Sequence, residues 1–232
     1  MQTITGILSS PWFLIGWAAL MLPSLVSVIR DLRSKNAHLM SLMRLDWCLT
    51  VVYSGLLGLL IYLNCGRKEI PRDTLWRRAF RSVAHCYSGC GAGEVVGLIL
   101  AVGLFQLGNT GIAALTFAMA YVAGYALTVG PLVEKGVPVR TAIRDAVLSE
   151  TPSIAVMEIV AISVDLMLSG KAGLGDPLFW SSMIVSLTLG FIAAYPVNVA
   201  LIHWNVKEGM MDPRHTHHGG HEDRPQGTQS TG

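Results

Sequence analysis

The sequence predicts an all-α, polytopic membrane helical bundle of about six transmembrane helices, and three observations carry that prediction. Hydrophobic residues make up 52% of the 232 residues and charged residues only 14%, with a mean hydropathy of +0.50, above the range of soluble globular chains. Apolar runs near the length needed to cross a hydrocarbon core of roughly 30 Å, at about 1.5 Å per residue, recur along the chain. The basic residues gather between those runs, where they act as topology signals. A net charge of +2 and the lack of a nucleic-acid motif argue against nucleic acid as a partner. The lipid bilayer is the expected environment.

The first run, 12–29, has no Lys or Arg ahead of it, so it reads as a true span and not as a cleaved signal. Further spans are expected at 47–63, 91–107, 111–132, 152–168 and 178–204. Only Gly108, Asn109 and Thr110 separate the third span from the fourth, which predicts a tight antiparallel hairpin. Between the second and third, Leu75, Trp76, Ala79, Phe80 and Val83 recur at helical spacing among Arg77, Arg78 and Arg81, the pattern of an interfacial amphipathic helix. With six crossings, twelve lysines and arginines fall on one side, against Arg30, Arg33, Lys35, Arg44 and Lys171 on the other. Both termini are then expected in the cytoplasm. The domain plan is a transmembrane domain over 1–210 and a His-rich, disordered cytoplasmic tail over 211–232, where composition turns polar and periodicity is lost.

The densest chemistry is HCYSGCGAGE, from His85 to Glu94. On a helix, Cys86, Cys90 and Glu94 make one stripe, and Gly89, Gly93 and Gly97 make an adjacent one that lets a neighbouring helix approach. Two thiols and an imidazole suit a soft or borderline ion, Cu or Zn, which makes His85, Cys86, Cys90 and Glu94 a candidate metal site. Buried cysteines are also ordinary small hydrophobes. Glu158 and Asp165 are seven residues apart and share a face of the fifth span; an ionised carboxylate there costs at least about 2.5 kcal/mol unless something offsets it. They extend the site into an ion path, with Asp145 at its mouth. Ser149 and Glu150 sit near Asp145 at helical spacing and extend that mouth, although Ser149, Glu150 and Thr151 next to Pro152 read more readily as a helix-end cap or a solvated loop. Asn198, two residues after Pro196 in the sixth span, joins the ion path as a donor or cavity lining, or else serves as interhelical glue. The histidines His215, His217, His218 and His221 form a tract able to bind Cu, Zn or Ni loosely.

These motifs together resemble the bacterial and archaeal membrane family catalogued as domain of unknown function 4396. The resemblance rests on LMSLMRLDWCLTVVY (residues 39–53), on His85, Cys86, Gly89 and Cys90, on Asp145 with Ser149, and on Tyr195, Pro196, Asn198, Lys207, Glu208 and Met210. Where that family carries an aspartate after the second cysteine, this chain carries Glu94. The resemblance implies a membrane bundle in a bacterial or archaeal cytoplasmic membrane and supports the choice of residues. It brings no activity with it.

The leading expectation is a membrane protein that binds and transports or buffers a soft transition metal, copper ahead of zinc. The alternative is a non-enzymatic subunit or assembly partner of a larger membrane complex, or a homo-oligomer, docking through the glycine stripe. A thiol-redox enzyme using Cys86 and Cys90 ranks third, because four-residue spacing on a helix distorts a disulfide. No nucleophile, base and orienting group can be named for a hydrolase.

Overall fold

A computed structural model describes residues 2–134, 136–170, 172–209 and 212–214; the tail histidines lie outside them. The described elements are helical: α1 (Gln2–Leu8), α2 (Pro11–Ser34), α3 (Ser41–Ser54), α4 (Leu56–Cys65), α5 (Leu75–Leu98) with a π-helical extension (Ile99–Leu104), α6 (Asn109–Glu134), α7 (Val139–Ser169) and α8 (Pro177–His203). The fold is a polytopic helical bundle. Pro11 opens α2 behind Ser10, whose side chain accepts the Trp12 amide at 3.3 Å. Proline is tolerated there because the first amides of a helix lack intrahelical partners. The outer surface carries large apolar side chains, including Trp12, Val122, Leu104 and Met167, as lipid contact requires.

Among the described residues, five helices are long and apolar enough to cross a membrane: α2, α5 with its extension, α6, α7 and α8. The expected second span is instead two short helices. Gly55, with φ +58°, breaks the run, and α4 folds back along α3 so that the Trp47 and Tyr62 rings meet edge to face. Gly66, at the end of α4, packs on that same Trp47 ring. The pair forms a re-entrant hairpin whose first arm, 14 residues long, reaches about 21 Å into the bundle before turning back. Hydropathy cannot distinguish a run that crosses from one that returns; the left-handed backbone at Gly55 makes the difference.

This corrects the sidedness. Tyr62 donates to Asp31 near the end of α2 (2.6 Å), and the Lys68 amide donates to Asn36 Oδ1 (2.8 Å), so the end of α2, both ends of the hairpin and the start of α5 lie together. Every lysine and arginine among the described residues lies at this basic end, including Arg30, Arg33, Lys35 and Arg44, which six crossings would have placed opposite. Pro11 opens α2 at the end away from these basic residues, and His203 closes α8 close to Lys207, beside them.

Two further expectations change. Residues 75–83 do not form a separate interfacial helix; they are the first turns of α5, with Arg81 and Ser82 buried and Phe80 stacked on Tyr195 of α8 at 4.1 Å. Their helical spacing was real, but the apolar face meets protein. Likewise α7 begins at Val139 and runs through Pro152, so Ser149, Glu150 and Thr151 are mid-helix, not a cap. The glycine stripe behaves as expected: Gly89, Gly93 and Gly97 each lie against α6 backbone, which brings α5 and α6 into close contact along their length.

Candidate functional site

At the basic end, α3, α5, α6, α7 and the segment after α8 enclose a cavity of about 710 Å³ whose walls include Met40, Met43, His85, Asp145, Glu150 and Lys207. His85 is fixed by Asp46 of the hairpin, Nδ1 to Oδ2 at 2.8 Å, while its Nε2 lies 3.5 Å from Thr128 Oγ1. At the floor, Glu150 Oε2 accepts both the Cys86 thiol and the Lys207 ammonium, each at 2.6 Å. Lys207 Nζ also lies 3.4 Å from Cys86 Sγ and 3.3 Å from Asn198 Oδ1. Asn198 is itself oriented by Ser82, which donates to Oδ1 at 2.9 Å, and by its own Nδ2, which donates to Ala194 O at 3.0 Å and to Ser153. These side chains come from three helices and a loop, so the polar floor exists only in the folded bundle.

Burial alone would push the Lys207 ammonium down, but the adjoining Cys86 and Glu150 groups outweigh it and hold it above the usual lysine range. A raised folded value stabilises the folded state below the unfolded lysine value, and that contribution is lost only as pH rises through the folded one. Lys207 is therefore charged throughout the neutral range, and the pair does not open by titration of this lysine.

Deeper in the bundle, Cys90 packs on Gly124 of α6, where a Cβ would stand 2.8 Å from its Sγ. Cys90 lies within electrostatic reach of Glu158 and Glu94, and Glu94 within reach of Glu158 and Asp165. Glu94 is 1% exposed and Glu158 fully buried, and neither oxygen of either carboxylate has a hydrogen-bond partner among the described residues. A bare buried carboxylate is expensive without pairing, so a proton, a cation or a buried water gains a strong partner at either of these two. Asp165 and Ser169 then line a second cavity of about 330 Å³ with Gln106 and Asn109, where α5 and α6 meet. On α7, Glu150 and Asp165 are fifteen residues apart with Glu158 between them, or about 22 Å along the axis.

The structure sets Glu94 within electrostatic reach of Glu158 and Asp165, places Asp145 on the cavity wall, and sets Asn198 beside Lys207. It does not gather His85, Cys86, Cys90 and Glu94 into one cage: His85 turns to Asp46, Cys86 to Glu150, Cys90 to α6, and Glu94 inward. No group of three or more His, Cys, Asp and Glu able to hold a metal occurs among the described residues. Cys86 and Cys90 are free thiols.

Sequence reasoning missed Asp46 and underweighted Glu150 and Lys207. Asp46 stood one residue outside the expected second span, though an acid beside so apolar a run was itself a signal. Lys207 counted only as a topology charge and as part of a closing motif.

No curated protein and no solved structure matches the chain. A family model described as a domain of unknown function, DUF4396, matches residues 75–207. That stretch opens with α5 and closes on Lys207, so it contains the floor cluster and all three inner carboxylates; the hairpin with Asp46, and the 39–53 resemblance, lie before it. Covering more than half of the 232 residues, the match shows that the chain belongs to the DUF4396 family.

Proposed function

We propose that the protein is a membrane cation carrier in which an ion moves between the two cavities by way of Glu94, Glu158 and Asp165. The observation that carries this reading is the pair of buried, unpartnered carboxylates, Glu94 and Glu158, set between a cavity holding Glu150 and one holding Asp165. Buried acids on an intramembrane path bind and release cations because each is costly when bare and neutral when loaded. The gathering of basic residues at one end favours that end as the cytoplasmic face of a bacterial or archaeal membrane. The cargo we favour is a soft transition-metal ion, copper first: Met40 and Met43 line the entry cavity, and the sulfurs of Cys86 and Cys90 follow, all donors that soft ions prefer. On this reading the donors pass an ion along and do not cage it.

In proteoliposomes supplied with Cu(I) under reducing conditions, the wild-type chain is expected to carry copper inward or outward with a measurable proton signal. Glu94→Gln with Glu158→Gln should slow the flux at least about tenfold, equivalent to ~1.4 kcal/mol of barrier. Flux at the wild-type rate in that double variant would sink the carrier reading. Cys86→Ser with Cys90→Ser tests the cargo separately: copper flux and copper content, measured by inductively coupled plasma mass spectrometry, should fall while proton flux persists. If copper is handled equally well without either sulfur, the soft-metal cargo is wrong and the proton path stands alone.

A further inference from the structure

The Lys207 ammonium sits among an acidic oxygen, a sulfur and an amide oxygen at 2.6, 3.4 and 3.3 Å. Its side chain is 9% exposed and that of Glu150 is 4%. A primary ammonium with three converging acceptors at the floor of a cavity is the arrangement a bound cation would take. We infer that Cys86, Glu150 and Asn198 form a loading site for a borderline divalent metal ion of the Zn(II) or Cd(II) type, which Lys207 fills as a tethered substitute in the present state. This rests on the carrier reading for its purpose and gives the path a divalent cargo in place of Cu(I), but binding at the site needs no flux.

Three features support it. First, the donor set is one sulfur, one carboxylate and one carbonyl oxygen, a mixed set that borderline ions accept, and Glu150 and Lys207 connect it to the cavity they line. Second, Lys207 is carried on a non-helical segment that doubles back after α8, with positive φ at Asn205 (56°) and Gly209 (81°). That segment is held to α8 by hydrogen bonds that the Val206 and Lys207 amides donate to Leu201 O (2.9 and 3.3 Å), so the lysine can leave without unwinding a transmembrane helix. Third, the charges balance. The present site holds a neutral Cys86 thiol, the Glu150 carboxylate and the Lys207 ammonium. A divalent ion replaces the ammonium, and the Cys86 proton leaves to solvent as the sulfur–metal bond forms, so thiolate, carboxylate and metal again sum to zero while Lys207 moves out to water. The exchange is one divalent ion in, one ammonium out and one proton released, with no change of oxidation state. Metal binding that displaces a thiol proton strengthens as pH rises.

The test is equilibrium dialysis of the full-length, detergent-solubilised chain against Cd(II) alone, read by metal content and by the ultraviolet thiolate-to-Cd(II) band. Lys207→Ala should bind about one Cd(II) per chain more than wild type, with the thiolate band appearing and protons released. Lys207→Arg, which keeps a cation in place, should behave as wild type. Adding Cys86→Ser to Lys207→Ala should remove the extra ion and the band, while any ions on the histidine tail stay the same in all variants. If Lys207→Ala does not fold, Lys207→Gln, of similar length and without charge, serves in its place with the same expectation. Equal Cd(II) binding and no new band in the neutral variant would overturn the inference. An extra ion in Lys207→Ala together with undiminished flux in Glu94→Gln/Glu158→Gln would instead preserve this site and defeat the carrier reading.

Discussion

Replacing Arg81 with alanine is expected to cost about 3–5 kcal/mol of stability, the range for breaking a buried ion pair from one side. Arg81 is 2% exposed. Its Nη2 donates to Asp73 Oδ1 at 2.7 Å and its Nη1 to the Cys65 carbonyl at 3.1 Å. One guanidinium thus ties three elements: the α4–α5 loop through Asp73, the last turn of α4 through an end carbonyl, and α5 itself. A cation at a helix C-terminus is favoured by the unpaired carbonyls there, and only the planar fork of arginine reaches both acceptors at once. Removing it leaves Asp73, whose side chain is 13% exposed, without its partner and frees the returning arm of the hairpin. Thermal unfolding in detergent, followed by helical circular dichroism, should show the loss in Arg81→Ala, with Arg81→Lys intermediate. A change no larger than the ~1 kcal/mol of an exposed pair would show that the hairpin does not depend on this clamp.

Arg81 also marks where sequence legibility ends. The helical periodicity around it is legible, yet its burial is not, because Asp73 and Cys65, to which it donates, stand eight and sixteen residues away in other elements. The re-entrant hairpin failed for a different reason. Residues 47–63 are as apolar as a crossing helix, and one left-handed glycine reverses them; moving that one element also moved Arg30, Arg33, Lys35 and Arg44 to the opposite side. Where the signal was a property of one helix, the sequence served well. Glu158 and Asp165 share the expected face of α7, and the α5 glycines meet a neighbour. The site was legible as a set of residues but not as a set of pairs: Cys86 and Glu150 are 64 residues apart, Lys207 and Cys86 are 121, and Ser82 and Asn198 are 116, and no periodicity links such positions.

The contact between α5 and α6 yields the second large effect. A Cβ on Gly93 would stand 2.4 Å from Met119 O and 2.7 Å from Ala120 Cα. Both are backbone atoms of a transmembrane helix, so no rotamer change can relieve the clash and the whole of α6 must shift. Gly93→Ala is therefore expected to destabilise by about 1–3 kcal/mol, and Gly93→Leu by more. Gly16 gives the opposite expectation: nothing lies within 4 Å of its Cβ position, so Gly16→Ala should be neutral or stabilising by about 0.5–1 kcal/mol, because alanine loses less backbone entropy in a helix. The pair of variants separates steric contact from helix propensity within one protein. Separating α5 from α6 also uncovers Cys90, which now packs on Gly124, and with it the approach to Glu94 and Glu158. The rate of maleimide labelling at Cys90, in a chain whose other cysteines are serine, should rise in Gly93→Ala and stay low in Gly16→Ala. Unchanged labelling and unchanged stability in Gly93→Ala would mean that α6 is free to move away without loss, and that the close approach made by the glycine stripe does not seal the polar track from lipid.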